Sequence, residues 1–254
     1  EAEGLRKEIH ILRERTDKPF GVNLMLMNPE TDKMVEICIE EKVPVVTTGA
    51  GNPGIYMEAF KAAGIKVIPV VPAPILAKRL EKLGADAVIA EGCESGGHIG
   101  EMPTMTLVPQ TVDAVSIPVI AAGGVADNRQ MQAVLTLGAC GAQIGTALLA
   151  AEECPIHENY KEAVLKASGS GRIAGVPVRV LKNQMSREYL SQEKAGADKM
   201  ELEKFTLGSL RRAVFDGDTK TGSLMAGQTC GQVTKIRPVA EILADICRGI
   251  PGIS

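Results

Sequence analysis

Residues 85–100 read Ala85-Asp86-Ala87-Val88-Ile89-Ala90-Glu91-Gly92-Cys93-Glu94-Ser95-Gly96-Gly97-His98-Ile99-Gly100. Opened by Gly84, the first six residues form a short apolar run of the kind buried on both faces of a parallel sheet. The rest reads as loop. It sets two carboxylates, the Ser95 hydroxyl, bare glycine backbone and the His98 imidazole just past the C-terminal end of the strand. In parallel α/β proteins that edge is where ligands bind. Taken alone, a Gly-Gly pair is a turn and a single histidine a structural residue, so the rest of the chain has to decide.

Outward from this stretch the same unit repeats. Strand-like runs at 20–26, 43–48, 66–71, 118–122 and 141–148 alternate with helical patterns at 32–41, 54–63, 75–83, 107–116 and 128–137. Several of these helices stop at a glycine, as at Gly64, Gly84 and Gly138. Residues 1–15 place Leu5, Ile9 and Leu12 on one face of an amphipathic helix, with His10 on its solvated side. Repeated strand–helix units with right-handed crossovers give a parallel sheet, as a barrel or a doubly wound sheet.

Two glycine turns set the register. The run at 118–122 ends in Gly123-Gly124, and the run beginning at Gly141 leads to Gly145-Thr146 and a helix. Such turns offer close backbone approach, N–H donors and a helix N-terminus, which is what a phosphate needs. In an α/β barrel this site belongs to the loops after strands seven and eight. Counting back makes 20–26 the third strand. The expectation is a TIM-type (β/α)8 barrel lacking its first two strands in this sequence, which begins at Glu1 without an initiator methionine. A doubly wound sheet starting from the first helix is the alternative.

After residue 150 the pattern changes. Residues 167–171 form a flexible Gly/Ser stretch, 176–181 a short strand-like run, 188–215 polar helices, and 216–222 a turn cluster; a last helix spans 239–248. This predicts a division into an α/β barrel part, 1–150, and a C-terminal helical lid with a barrel-closing helix, 151–254.

Composition narrows the function. Of 254 residues 45% are apolar, only 3% aromatic and none tryptophan, so the core is aliphatic, as suits a buried parallel sheet. A net charge of −3 without basic runs argues against nucleic acid. No apolar stretch reaches about 18 residues and no signal peptide opens the chain, which reads as cytosolic. Six scattered cysteines without a C-x-x-C suggest neither zinc nor disulfides.

With these residues in place, Gly21-Val22-Asn23, Thr47-Thr48-Gly49-Ala50-Gly51-Asn52-Pro53, Glu91-Gly92, Glu94-Ser95-Gly96-Gly97-His98-Ile99-Gly100, Ala121-Ala122-Gly123-Gly124-Val125-Ala126-Asp127, Gln143-Ile144-Gly145-Thr146 and Met225-Ala226-Gly227-Gln228 resemble the flavin-dependent enoyl-acyl carrier protein reductases of bacterial fatty-acid synthesis. These share a superfamily of FMN-binding barrels with the nitronate monooxygenases. Residues 177–183 and 43–72 tip the resemblance toward the reductases. It departs at the start, where the family has two further strands with a flavin-covering loop, and around 168–175, which looks short.

The resemblance implies FMN as cofactor, NADH or NADPH as co-substrate, and an acyl carrier protein-linked enoyl substrate. It implies hydride relayed through FMN to the β-carbon of the thioester and a proton for the α-carbon. His98, an imidazole able to act near neutral pH, is the candidate catalytic acid, with ligand positioning as the competing role. Gly123, Gly124, Gly145 and Thr146 are the candidate phosphate ligands, and Asn23 and Gln143 polar contacts to the flavin. Glu91, Ser95 and Gly96 would line its ribityl chain or ring edge, Glu91 equally serving as a cap or ion pair, and Met225 is a further contact. His157 is assigned to the surface. No metal, nucleic acid or membrane partner is expected, and a homodimer is allowed. Three classes stay open: enoyl reductase, nitronate monooxygenase using oxygen, and a flavin-free phosphate-binding lyase or isomerase.

Overall fold

The computed structural model describes residues 2–173 and 178–251. In chain order its strands are β1 (Gly21–Met25), β2 (Val45–Gly49), β3 (Lys66–Val71), β4 (Val88–Glu91), β5 (Gly97–His98), β6 (Val119–Ala122), β7 (Gly141–Gln143), β8 (Gly171–Ile173) and β9 (Val178–Val180). Its α-helices are α1 (Ala2–Arg15), α2 (Thr31–Glu40), α3 (Met57–Ala62), α4 (Pro74–Lys82), α5 (Thr104–Val112), α6 (Asn128–Thr136), α7 (Glu158–Leu165), α8 (Gln184–Lys194), α9 (Lys199–Thr206), α10 (Ser209–Phe215) and α11 (Val239–Ile246).

Six strands form one sheet in the order β1-β2-β3-β4-β6-β7, all parallel. A doubly wound sheet reverses its strand order at a switch point. This sheet follows chain order without reversal, so right-handed crossovers lay every connecting helix on the same face. Burial agrees. Val22 and Leu24, Val46 and Thr48, Val67 and Val71, Val88 and Ala90, and Val119 and Ala121 all lie at alternate positions and are buried. The other face carries Asn23, Thr47, Ile68, Glu91 and Gln143, none of them fully buried. The doubly wound alternative is thus set aside: the sheet is a parallel-strand half-barrel with its helices outside.

Several boundaries differ from the sequence reading. The strand expected at 85–90 begins only at Val88, because the Asp86 carboxylate accepts from the Val67 N–H (3.0 Å) where a ladder bond would stand. The expected helix 54–63 splits into a 3₁₀ turn, Pro53–Ile55, and α3. The helix expected at 107–116 starts at Thr104 and holds Pro109 in its interior. Its first turn is capped from afar, by Glu94, whose carboxylate accepts from the Thr104 N–H and hydroxyl, both at 2.9 Å. The run at 141–148 is a strand only to Gln143, and Thr146–Ala150 is a 3₁₀ helix rather than an α-helix.

The loop reading of residues 91–100 also needs correcting. Gly97 and His98 form β5, which pairs antiparallel with β9, itself paired with β8. No local pattern could show this, since the partner strand lies some eighty residues on. The stretch 167–171, expected to be flexible, leads directly into β8. Of the expected strand 176–181, β9 covers Val178–Val180, while Val176 and Pro177 lie outside the described residues. A second apolar cluster, including Tyr160, Leu181, Leu224, Ala226 and Cys230, packs beside the main core. Helix α11 returns to the main core through Ile242 and Ile246.

Candidate active site

Four segments meet at the β4–β6–β7 end of the sheet. Ala122 pairs with both Glu91 and Gln143, which brings the ends of the three strands side by side. The fourth segment, 225–228, comes from the far end of the chain. The Gln228 N–H donates to the Glu94 carbonyl (2.8 Å) and the Gly227 N–H to the Thr146 hydroxyl (2.8 Å). Glycine is what permits this approach. A Cβ on Gly96 would stand 2.7 Å from the Ala226 carbonyl carbon, and one on Gly227 2.6 Å from the Glu94 oxygen.

The turn after β6 is tighter still. Gly123 (φ +90) and Gly124 (φ +78) are both left-handed, and a Cβ on Gly123 would stand 2.7 Å from Ser95 Oγ and 2.9 Å from the Gly92 oxygen. The main-chain N–H groups of Gly123, Gly124 and Gly145 donate to no main-chain acceptor among the described residues. No protein atom lies within 4 Å of where a Cβ on Gly145 would stand. Donors without main-chain partners on adjacent strand ends, that of Gly145 beside open space, fit the phosphate of a mononucleotide. The second turn supplies this without an α-helix N-terminus.

Charge is arranged around these turns. Glu91, at the end of β4, is held above the ordinary carboxylate range by burial, opposed by a hydrogen bond from Ser95. Arg179 on β9 is only 7% exposed and donates through Nε and Nη2 to the Cys93 carbonyl at 2.9 and 2.7 Å. A buried cation is thereby spent on fixing the loop that carries His98. The Tyr160 hydroxyl donates to the Met225 carbonyl (2.9 Å), and Met225 Sδ would lie 3.5 Å from a Cβ on Gly97.

His98 is exposed and, with Glu91, lines a cavity of about 340 Å³ walled by residues of the 50–53 loop, the end of β3 and α4. The structure thus brings together Glu91, Ser95, Gly96, His98, Gly123, Gly124, Gly145, Thr146 and Met225. Asn23 stands apart. It lies on β1, at the opposite end of the sheet from Gln143 on β7, and its Oδ1 accepts from the Thr47 hydroxyl (2.9 Å). The Gln143 amide makes no hydrogen bond among the described residues.

His157, assigned to the surface, is half-buried. Its Nδ1 caps α7 by accepting from the Asn159 N–H, and its ring packs where a Cβ on Gly217 would stand. Arg179, Glu94 and residues 50–53 fall within the quoted motifs, but the sequence assigns them no role, and nothing in it marks α4 as a cavity wall. Glu94 and Arg179 act through contacts distant in sequence, and the non-glycine Ala50 at φ +52 leaves no sequence mark.

Comparisons with known proteins agree with this geometry. Over 97% of this chain and 80% of its own, the structure of FabK from Thermotoga maritima superposes with a TM-score of 0.94 at 49% identity. Nitroalkane oxidase from Streptomyces ansochromogenes does so with a TM-score of 0.85 at 28% identity, over 97% of this chain and 84% of its own. A hydroxy-methyl-oxo-octahydro-indene carboxyl-CoA dehydrogenase of Rhodococcus jostii is 38% identical over 175 residues, 67% of this chain. The chain spans about half the length of the curated relatives it matches, 50% and 53% for the first two. No helix among the described residues is long and apolar enough to cross a membrane. Half-barrel, glycine turns and His98 loop fall within a single family model, nitronate monooxygenase, which matches residues 1–249, and the chain belongs to that oxidoreductase family.

Proposed function

We propose that the protein reduces the carbon–carbon double bond of enoyl thioesters carried on acyl carrier protein, as an FMN-dependent enoyl reductase of cytoplasmic fatty-acid elongation using NADH or NADPH. The observation that carries this reading is the 49% identity to FabK over nearly the whole chain, against 28% to the nitroalkane oxidase. FabK stands in the enoyl-acyl carrier protein reductase branch that the motifs resemble. The six strands then correspond to strands three to eight of an eight-stranded barrel, with residues 151–254 as lid and substrate region.

FMN, when bound, supplies the hydride chemistry. Gly123, Gly124, Gly145 and Thr146 hold its phosphate, and Glu91, Ser95, Gly96 and Met225 line its chain and ring edge. Gln143, with an unengaged amide, offers a polar contact from the inner face of the sheet, whereas Asn23 is held by Thr47 at the far edge. His98 donates a proton at its imidazole nitrogen to the α-carbon of the substrate. Arg179 and the β5–β9 pairing keep that imidazole at the cavity wall.

A second reading, nitronate oxidation with oxygen and no nicotinamide, is favoured by the family model. The two separate in one assay. The flavin-loaded protein is expected to oxidise NAD(P)H in step with crotonyl-thioester reduction under argon. Oxygen uptake with a nitronate and no nicotinamide, without thioester reduction, overturns the reductase reading. A colourless preparation that takes up no FMN overturns both, and with no tryptophan the flavin band is easily seen.

A further inference from the structure

We propose that Arg79 binds the phosphate of a phosphorylated pantetheine arm, and that the cavity beside α4 is the passage through which this arm carries its thioester to His98. This rests on the enoyl-thioester reading above. The cavity has apolar walls from Val70, Val71, Pro72, Leu76 and Leu80, with Glu91 and His98 facing the same space. At about 340 Å³ it is at the small end of ligand pockets, suited to a narrow flexible chain. Leu76, Arg79 and Leu80 share one face of α4 by their spacing of three and four. Leu80 is buried while Arg79 is exposed, so the guanidinium stands where the cavity opens to solvent.

The charge there is uncompensated. Arg79 makes no ion pair or side-chain hydrogen bond among the described residues. Glu81, the acidic residue of α4, is turned away, accepting from the Ser116 N–H and hydroxyl and the Ile117 N–H. Lys82, one turn along the same helix, adds a second exposed cation, while Lys78 turns to the α5 side, beside Gln110 and Asp113. A chain of net charge −3 thus places a local positive field at the opening of an apolar passage. An acyl thioester arm ending in a phosphate matches that order of apolar wall and cation. Coenzyme A and a carrier protein both present this group.

The test uses the flavin-loaded full chain with crotonyl-pantetheine, which has no phosphate, crotonyl-CoA and crotonyl-acyl carrier protein. Arg79→Gln is expected to raise KM for a phosphate-bearing substrate by about 10-fold, with kcat and the KM for crotonyl-pantetheine unchanged. Arg79→Lys should recover part of the loss. Lys78→Gln, outside the cavity, should leave the crotonyl-CoA KM unchanged. Which phosphate-bearing substrate responds identifies the source. A rise shared by all three substrates, or by none, overturns the proposal. Calorimetric binding of unreactive butyryl-CoA keeps it separate from the reductase reading. Binding that depends on Arg79 without turnover of any thioester would sink the reductase and leave the arm site standing.

Discussion

The two ends of the parallel sheet are built from the same strand–helix unit and finished differently. At the β6–β7 end, the turns are tied down by segments from far along the chain: Gly227 to Thr146, Gln228 to Glu94, Arg179 to Cys93. At the β1–β2 end, the side chains of Asn23 and Thr47 bond only each other among the described residues, and Met25 and Met27 are 47% and 71% exposed. Strand ends alone therefore do not make a site. One forms where a distant segment closes over them, fixes their donors and removes water from one side.

Removing His98 tests the finished end most severely. His98→Ala is expected to slow enoyl reduction by about 10²–10⁴-fold, the usual worth of a positioned acid, while flavin binding and flavin reduction by NAD(P)H persist. His98→Gln, which can hydrogen-bond but not act as an acid, should behave alike. Stopped-flow traces of the two half-reactions separate these steps. Parental rates in both variants would make His98 structural, and collapse of flavin reduction instead would move its role to the nicotinamide or flavin.

A smaller effect compares glycines at the two ends. Gly123→Ala puts a methyl against Ser95 and the Gly92 oxygen at φ +90, whereas Gly49→Ala meets nothing within 4 Å. The first should cost about 1–3 kcal/mol and release FMN on gel filtration. The second should stay within about 0.5 kcal/mol. Gly124, whose Cβ would meet only the Glu94 side chain at 3.5 Å, is the more tolerant of the pair. FMN retained at full stoichiometry by a folded Gly123→Ala protein would refute the phosphate placement.

The smallest effect is a pH dependence. Burial raises the Glu91 carboxyl, so the folded state favours its neutral form. That contribution is fully present below the ordinary glutamate range and lost as pH rises through the raised value. Glu91→Gln should therefore raise the thermal midpoint at pH 8 and converge with the parent near pH 4. A midpoint difference independent of pH would show that folding does not shift the Glu91 carboxyl and would overturn this reading.

The parallel sheet could be read from the chain because each strand and helix announces itself within a dozen residues. Lys66–Val71 was located to the residue, and the turns at Gly123 and Gly145 followed from glycine placed after an apolar run. Boundaries slipped where a side chain from elsewhere replaced a local signal, as with Asp86 on Val67 and Glu94 on Thr104. Within the site, the glycines, Ser95 and His98 were legible from the 85–100 stretch. Arg179 was not, because nothing local distinguishes an arginine buried against a carbonyl from one in solvent.

By itself, then, the sequence determined the alternation of strand and helix, the aliphatic core and the chemistry gathered at one set of strand ends, all of which depend on short-range periodicity. Only the tertiary structure decided that the helices lie on one face, that His98 belongs to a strand, and that residues 225–228 tie the Gly145-Thr146 turn to the Glu94 loop. The first depends on the order in which strands pair, and the other two on surfaces that meet across about eighty residues or more of chain, where no local pattern encodes the partner of a buried donor or an unpaired edge.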